Sequence, residues 1–370
     1  MLSSPELIIL HIGAGKHSLK NEYEYRRLMK RAIKAYGHQE TESSGVLKKV
    51  SEDDLIWTQY ERLLKATDII EKSPLTNTGF GSSLNYEGEV ECDACILVSG
   101  SKSTQFSLSN QKSSQTPIRN CYNRYRELVL ERPAALRRLG FTPPVMVVET
   151  DDGDKSTQRS LVSPKALQMY LDYREKLEID FSNFETRDFE INDTVGAICL
   201  TRTGHTFAAS SSGGNTLKYP GRLGCASIVG ASIFACSNDD VRVSVMCSGN
   251  GEDIIQADLA RYCCRYILDH SRSDKMVCVL LEEAISGAFE KVQLTAVNGE
   301  RSPIVYAGAV GFLQRLTDAA PTSVFYAYTT ESFVFAFSSP GSGTLDHHFL
   351  TNKKPVGHFQ RGEIFLESPA

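Results

Sequence analysis

Short apolar and β-rich runs recur along the chain at the lengths and spacings typical of strands. The run at 7–10 is shorter than the apolar region of a signal peptide, so we expect a buried strand there. Further runs with this character predict strands at 89–98, 145–148, 194–200, 206–211, 241–247, 305–313, 324–328 and 333–337.

Helical patterns separate these strands in blocks. Apolar residues at helical spacing predict helices at 21–36, from 51 onward, and at 117–138, 164–178, 252–268 and 276–292. Loops are predicted at 99–115, which is rich in Ser, Gln and Lys, at the charged segment 151–160, and in the exposed linker from 178 to Asp193. Because helices alternate with groups of strands, the pattern favours stacked antiparallel sheets over a doubly wound sheet.

Composition and charge narrow the class of protein. The 370 residues suffice for one large domain or two ordinary ones, and 41% hydrophobic with 23% charged residues is typical of a globular protein. A formal net charge of −5 gives no electrostatic reason to bind nucleic acid or an anionic membrane. We therefore expect neither of these partners.

The ten cysteines favour free thiols over disulfides or a metal site. Cys199 and Cys247 lie in predicted core strands, where free cysteine packs as a small apolar residue. The pair Cys92 and Cys95 lacks a second pair at zinc-site spacing. We expect a reducing compartment, the cytosol or nucleus, and no metal or other cofactor held by side chains.

The junction between Asp193 and Thr194 carries the first candidate chemistry. An acidic segment ends at Asp193, and an apolar strand begins at Thr194. If the chain were cut between them, Thr194 would hold a free α-amine beside its own hydroxyl, so one residue would supply both base and nucleophile. The alternative is that Thr194 only begins an ordinary strand, because β-branched residues favour strands.

Small hydroxyl residues and glycines gather around the ends of the strands that follow. Glycine lets the backbone approach a ligand closely, and its N–H can point at a developing oxyanion. The same residue types also occupy ordinary turns. The group comprises Ser212, Gly213 and Gly214 after one strand, Gly221, Arg222 and Gly224 in the next loop, and Ser248, Gly249 and Gly251 after a later strand.

Together these segments resemble the N-terminal-nucleophile asparaginase family and, within it, the threonine aspartases. Other matching segments follow in the family's order at 11–15, 77–82, 88–94, 329–332 and 366–369. The resemblance implies an α+β fold, a four-layer αββα sandwich, in a single domain, 1–370. It also implies self-cleavage into an α subunit, 1–193, and a β subunit, 194–370, and a dimer of the cut unit.

The resemblance implies a role for each candidate residue. The Thr194 hydroxyl would attack the carbonyl of Asp193 during self-cleavage and a substrate carbonyl afterwards. Arg222 would bind a substrate carboxylate through its planar set of donors. The remaining roles are a hydrogen bond to the nucleophile from Ser212, an oxyanion hole from Ser248 and Gly249, substrate contacts at Gly224 and Gly251, and support of the site by Gly13 and Asn77.

Position 225 departs from the pattern of the small-molecule asparaginases. Those enzymes have an aspartate there that binds the substrate's α-ammonium group, whereas this chain has Cys225. A free amino acid would lose that anchor, but an aspartate within a polypeptide has no such ammonium. The difference favours an endopeptidase that cuts protein substrates after Asp. The alternatives are an amidohydrolase for asparagine, β-aspartyl dipeptides or glycosyl-asparagine, and a non-catalytic relative.

The resemblance also implies a candidate site for one bound ion. In related asparaginases the loop equivalent to 71–78 can hold a structural sodium ion through backbone carbonyls. Backbone ligands leave no side-chain pattern, so this expectation depends on the resemblance alone.

Overall fold

The computed structural model describes residues 6–37, 52–100, 102–150, 155–178, 194–297, 302–316, 320–339 and 344–366. Asp193, the predicted linker before it and most of the matching segment 366–369 lie outside the described residues. The helices are α1 (Glu22–Gly37), α2 (Glu52–Glu71), α3 (Pro117–Tyr125), α4 (Ala134–Arg138), α5 (Lys155–Leu161), α6 (Pro164–Glu178), α7 (Gly251–Ala257), α8 (Leu259–Asp269) and α9 (Val277–Phe289).

The described strands form two sheets. They are β1 (Leu7–Gly15), β2 (Cys92–Ser99), β3 (Ser103–Gln111), β4 (Met146–Val148), β5 (Val195–Leu200), β6 (Thr206–Ser212), β7 (Ile233–Ser237), β8 (Val241–Gly249), β9 (Ala307–Arg315), β10 (Ser323–Tyr328), β11 (Ser332–Ser339), β12 (Thr344–Thr351) and β13 (Gln360–Phe365). The larger sheet has the order β12-β11-β1-β5-β6-β2-β3-β4, and the smaller has the order β13-β10-β9-β8-β7. Neighbouring strands are antiparallel except β3 and β4, which confirms the prediction of antiparallel sheets.

Alternation along the strands explains how the layers stack. In β1, Ile8 and Leu10 join the core formed with helices α1 to α3, whereas Leu7 and Ile9 face the other sheet. Successive side chains of a strand point to opposite faces, so one strand serves two cores. The smaller sheet packs its other face on α8 and α9. The fold is therefore the expected four-layer αββα sandwich.

The prediction of a mobile loop at 99–115 was wrong. This segment contains β3, which pairs with β2 along its length. Phe106 and Leu108 point into the core, and polar residues such as Ser109 and Gln111 are also buried. The segment folds as a strand because pairing with β2 overrides the loop-like composition.

Three other boundaries differ from the sequence predictions. The helix expected at 117–138 ends as α3, continues as a π-helical turn at Arg126–Leu130, and gives way to the separate α4. The helix expected at 252–268 is broken at Asp258, which has a left-handed backbone with φ of 45°. The loop expected at 151–160 begins the helix α5 at Lys155, and strands β7, β12 and β13 were not predicted.

All ten cysteines lie among the described residues as free thiols. Within the described ranges, no group of three or more His, Cys, Asp or Glu side chains is arranged to hold a metal ion. None of the helices that the structure describes is both long and apolar enough to cross a membrane.

Candidate active site

Three strand ends of the larger sheet meet at Thr194. This residue directly precedes β5, which lies between β1 and β6. On the β6 side, Val195 pairs with Ser211, so Ser212 lies beside Thr194. On the β1 side, Gly196 pairs with His11 near the glycine-rich turn. Antiparallel pairing therefore brings together segments that lie far apart in the sequence.

Ser248 connects this edge of the larger sheet to the smaller sheet. Its side chain lies at the end of β8, fully buried, and Oγ accepts the N–H of Thr194 at 3.2 Å and the N–H of Ala14 at 3.1 Å. A hydroxyl oxygen has two lone pairs, so these bonds use both and leave the hydroxyl proton to be donated. The geometry suits a donor to a negative oxygen formed next to Thr194.

Gly249 has a backbone that only glycine adopts readily. Its φ is +138°, and a Cβ at this position would lie 2.3 Å from the carbonyl oxygen of Tyr306. The next residue, Asn250, donates its backbone N–H to that same oxygen at 2.9 Å. The end of β8 is thus held close to β9, and no side chain at 249 intervenes.

The nucleophile candidate is buried and lies against a neutral thiol. The Thr194 residue is 4% exposed, and its Oγ1 lies 3.9 Å from Cys225 Sγ. Burial raises the pKa of the Cys225 thiol, which keeps it protonated at neutral pH. A neutral thiol therefore lies beside Thr194, at the position where the small-molecule asparaginases carry a carboxylate.

Asn77 holds the turn that follows Ser212. Its backbone oxygen accepts the N–H of Gly213 at 2.8 Å, and its Nδ2 donates to the carbonyl oxygen of Gly214 at 2.8 Å. Ser212 Oγ accepts the N–H of Gly214 at 3.0 Å. The structure places Ser212 beside Thr194, and a hydrogen bond from its hydroxyl to the nucleophile stays a prediction.

The guanidinium of Arg222 lies among glycines. It is 15% exposed, and its Nε donates to Glu252 Oε1 at 2.9 Å. A Cβ at Gly214, Gly224 or Gly251 would come within 2.7 to 2.9 Å of a guanidinium nitrogen. These three glycines therefore provide the space that the Arg222 side chain occupies, and the arginine already binds one carboxylate.

Gly13 forms the glycine-rich turn at the end of β1. Its φ is +107°, and its N–H donates to Nδ1 of His11 at 3.1 Å. The His11 proton therefore resides on Nε2. Burial, with a smaller contribution from the charge of His17, lowers the pKa of His11 to about 3, and burial lowers that of His17 to about 4.

Acid is expected to destabilise the fold through these two histidines. A histidine whose pKa is lowered in the folded state costs no stability above pH 6.5, where it is neutral in both states. Below pH 6.5 the unfolded state binds a proton that the folded state does not, so stability is lost until the pH reaches the folded pKa, about 4 for His17 and about 3 for His11. The expected loss of unfolding free energy at pH 4 is on the order of 3 kcal/mol for each histidine. Urea unfolding at pH 7 and pH 4 measures this difference.

The variant His11→Asn separates this contribution from that of the carboxylates. Asparagine accepts the Gly13 N–H without titrating, so the variant is expected to lose less stability between pH 7 and pH 4 than the wild type does. The exposed His358→Asn is the control and should match the wild-type pH profile. A His11→Asn profile parallel to that of the wild type would assign the acid sensitivity to other groups.

Sequence reasoning missed several buried charged residues at this site. Glu91, Asp93 and Lys218 are almost fully buried and contact the loop that carries Arg222. Two acidic residues at alternate positions of a predicted strand were the available signal, since buried charges require partners. The segment 88–94 was recognised only as part of the family resemblance.

Glu71 is another residue that the sequence did not single out. Its Oε1 accepts from Ser211 Oγ at 2.6 Å and from the N–H of Ile118 at 3.1 Å. Burial raises the pKa of Glu71 to about 8, so its carboxyl group is mostly protonated at neutral pH. It supports β6 from the helical layer, one residue away from Ser212.

Comparison with known proteins agrees with this architecture. The asparaginase family model, Asparaginase_2, matches residues 6–292, most of the chain. The isoaspartyl peptidase of Escherichia coli (strain K12) is 28% identical over 56% of this chain and 61% of that enzyme. The isoaspartyl peptidase/L-asparaginase of Xenopus laevis is 25% identical over 73% of this chain and 77% of that enzyme. The plant-type L-asparaginase of Pyrobaculum calidifontis is 28% identical over 68% of this chain and 77% of that enzyme.

The fold and the family match define the class of protein. The chain belongs to the Asparaginase_2 family, whose members have the N-terminal-nucleophile hydrolase fold. It spans about three fifths of the length of the isoaspartyl peptidases of Escherichia coli and Salmonella typhimurium.

Proposed function

We propose that this protein is a self-processing threonine endopeptidase that cuts protein substrates on the carboxyl side of aspartate. The observation that carries the proposal is the position of Thr194, whose backbone nitrogen lies 3.2 Å from the Ser248 hydroxyl at the start of a central strand. After cleavage before Thr194, that nitrogen becomes a free α-amine next to the Thr194 hydroxyl. Support for the choice of aspartate comes from Arg222 and Cys225.

The proposed reaction uses Thr194 twice. First, its Oγ1 attacks the carbonyl carbon of Asp193, the peptide nitrogen leaves with a proton, and water resolves the resulting ester into two chains. In the mature enzyme the α-amine takes the proton from the Thr194 hydroxyl as it attacks the substrate carbonyl. The Ser248 hydroxyl and the Gly249 N–H donate to the developing oxyanion, and Ser212 supports the nucleophile.

Substrate choice follows from the two side chains that flank this centre. Arg222, next to Gly224 and Gly251, binds the aspartate carboxylate of the substrate in place of Glu252, a partly exposed partner. Cys225 is neutral and provides no anion for a substrate ammonium. A peptide substrate has an amide nitrogen at that position, so it loses nothing by the absence of the anion.

A second candidate function is amide hydrolysis of small β-aspartyl substrates. The names of the relatives, isoaspartyl peptidase and L-asparaginase, favour it. Cys225 is the observation against it, since it leaves the α-ammonium of a free amino acid without a counter-charge.

One experiment separates the two functions. Full-length protein is aged, analysed by denaturing mass spectrometry for a fragment beginning at Thr194, and then incubated with an Asp-containing peptide or a β-aspartyl dipeptide. We expect two fragments and cleavage of the peptide after Asp. Turnover of the dipeptide alone would reject the endopeptidase, and an uncut, inactive chain would reject both functions in favour of a non-catalytic relative.

Three properties complete the proposal. The mature protein is a dimer of cut units in the cytosol or nucleus, with protein substrates as partners and no cofactor in the chemistry. A sodium ion in loop 71–78 would have a structural role. Backbone oxygens of Ser73 and Thr76 converge near Gly81, where a Cβ would lie within 2.7 Å of both, and carbonyl oxygens are the ligands that a hard cation prefers.

A further inference from the structure

Two buried carboxylates hold the short segment that carries Arg222. Glu91 directly precedes β2 and is 2% exposed, and Asp93, the second residue of β2, is 1% exposed. Glu91 Oε2 accepts the N–H of Gly221 at 3.0 Å, and Asp93 Oδ2 accepts the N–H of Gly224 at 2.7 Å. Because Arg222 lies between these two glycines, its backbone is fixed on both sides by charge-assisted hydrogen bonds.

Lys218 opposes the cost of burying Asp93. Its Nζ donates to the backbone oxygen of Glu91 at 2.5 Å, and its backbone oxygen accepts the N–H of Tyr86 at 2.8 Å. Burial raises the pKa of Asp93, and the Lys218 charge is the largest influence that opposes the rise. Buried charges that are paired add little net stability. Stability therefore does not explain Glu91, Asp93 and Lys218, and their role lies in the geometry that they impose on the backbone around Arg222.

The two carboxylates differ in how many N–H groups they accept. Asp93 uses both oxygens, since Oδ1 accepts the N–H of Asn110 in β3 at 3.1 Å. Glu91 accepts an N–H on one oxygen, and its other oxygen lies 3.7 Å from Lys112 Nζ. An amide in place of Asp93 would set an NH₂ group against an N–H, whereas an amide in place of Glu91 can keep its bond to the loop.

The Asp93 bond also reaches the nucleophile. Gly224, which donates to Asp93, is followed directly by Cys225, and Cys225 Sγ contacts Thr194 Oγ1. A shift of the backbone at Gly224 would therefore displace both the arginine and the thiol at the site. Such a shift is costly for substrate binding, because the Arg222 guanidinium must meet the substrate carboxylate in a set geometry, whereas Thr194 is also held by the Ser248 hydroxyl.

We propose that Glu91 and Asp93 are positioning residues for substrate binding, acting through the backbone of Gly221 and Gly224 to aim Arg222 at the substrate carboxylate. The inference rests on the proposed function, because that function gives Arg222 its carboxylate ligand. Asp93 has the larger role, since it orders two segments at once.

The test compares three variants of the full-length protein on an Asp-containing peptide. Asp93→Asn is expected to raise KM about tenfold or more and to change kcat less than about threefold, because an interaction of binding is lost. Glu91→Gln should have a KM within about twofold of the wild-type value. The control is Glu89→Gln, which removes another charge that faces Lys112, and its KM should stay in the same range. The preference of the enzyme for the Asp peptide over the same peptide with Asn should become smaller in Asp93→Asn and stay unchanged in the two glutamine variants.

A second variant keeps the test decisive if Asp93→Asn does not fold, as judged by its melting curve. Glu91→Ala removes the acceptor of an N–H in an exposed part of the loop, and KM is expected to rise about three- to tenfold. Wild-type KM in Glu91→Ala and in folded Asp93→Asn, or a fall in kcat alone, would overturn the inference while the wild type remains active. If the wild type turns over only the β-aspartyl dipeptide, KM is compared on that substrate. A wild type inactive on both substrates would overturn the proposed function instead, and the inference with it.

Discussion

Thr194→Ala is expected to leave a single uncut polypeptide, whereas the wild type is expected to yield two chains. The substitution removes the oxygen proposed to attack the Asp193 carbonyl, and the Cys225 thiol beside it is held protonated by burial, a form that is a poor nucleophile. Loss of a nucleophile lowers kcat by several orders of magnitude, so we expect a fall of at least about 10⁴-fold. Denaturing mass spectrometry and peptide turnover measure the two consequences.

Two further variants define what that result means. Thr194→Ser keeps a hydroxyl and the future α-amine, so it should retain both self-cleavage and measurable turnover. Thr201→Ala is the matched control, because Thr201 is a buried threonine at the opposite end of β5 whose hydroxyl bonds to that of Thr203. If the alanine variant at 194 were cut and active like the wild type, Thr194 would be an ordinary strand residue.

The fold was predictable where a segment's own pattern determines its burial. The run that forms β1 has apolar residues on both faces, and such a strand must lie between two layers. The segment that forms β3 was mistaken for a loop, because Ser107, Ser109 and Gln111 are buried where the strand pairs with β2. Composition describes what a segment prefers in isolation, and the pairing partner decides the outcome.

The same distinction applies to the site. Thr194, Ser248 and Gly249 could be proposed because each stands at a strand boundary that is visible in the sequence. Asp93 could not, since its role depends on a bond to Gly224, 131 residues away along the chain. No local pattern reports such a contact. The role of Asp93 follows from the acceptors of the backbone around Arg222, which come together only in the folded chain.

Ser248, which connects the two sheets, is the site of the second large expected effect on activity. Ser248→Ala removes the hydroxyl that accepts the N–H groups of Thr194 and Ala14, and these buried donors lose their partner. It also removes one donor of the proposed oxyanion hole. Loss of one such donor costs about 2.7–4 kcal/mol of transition-state stabilisation, so kcat is expected to fall about 10²- to 10³-fold.

The control for Ser248→Ala lies on the same strand. Ser244→Ala removes an equally buried hydroxyl, which donates to the carbonyl oxygen of Phe234 away from Thr194. Its activity should remain close to that of the wild type, although both variants lose some stability. Since Ser248 and Thr194 act on one reacting carbonyl, the double variant should be no slower than Thr194→Ala alone. Equal activity of the two serine variants would place the oxyanion donor elsewhere.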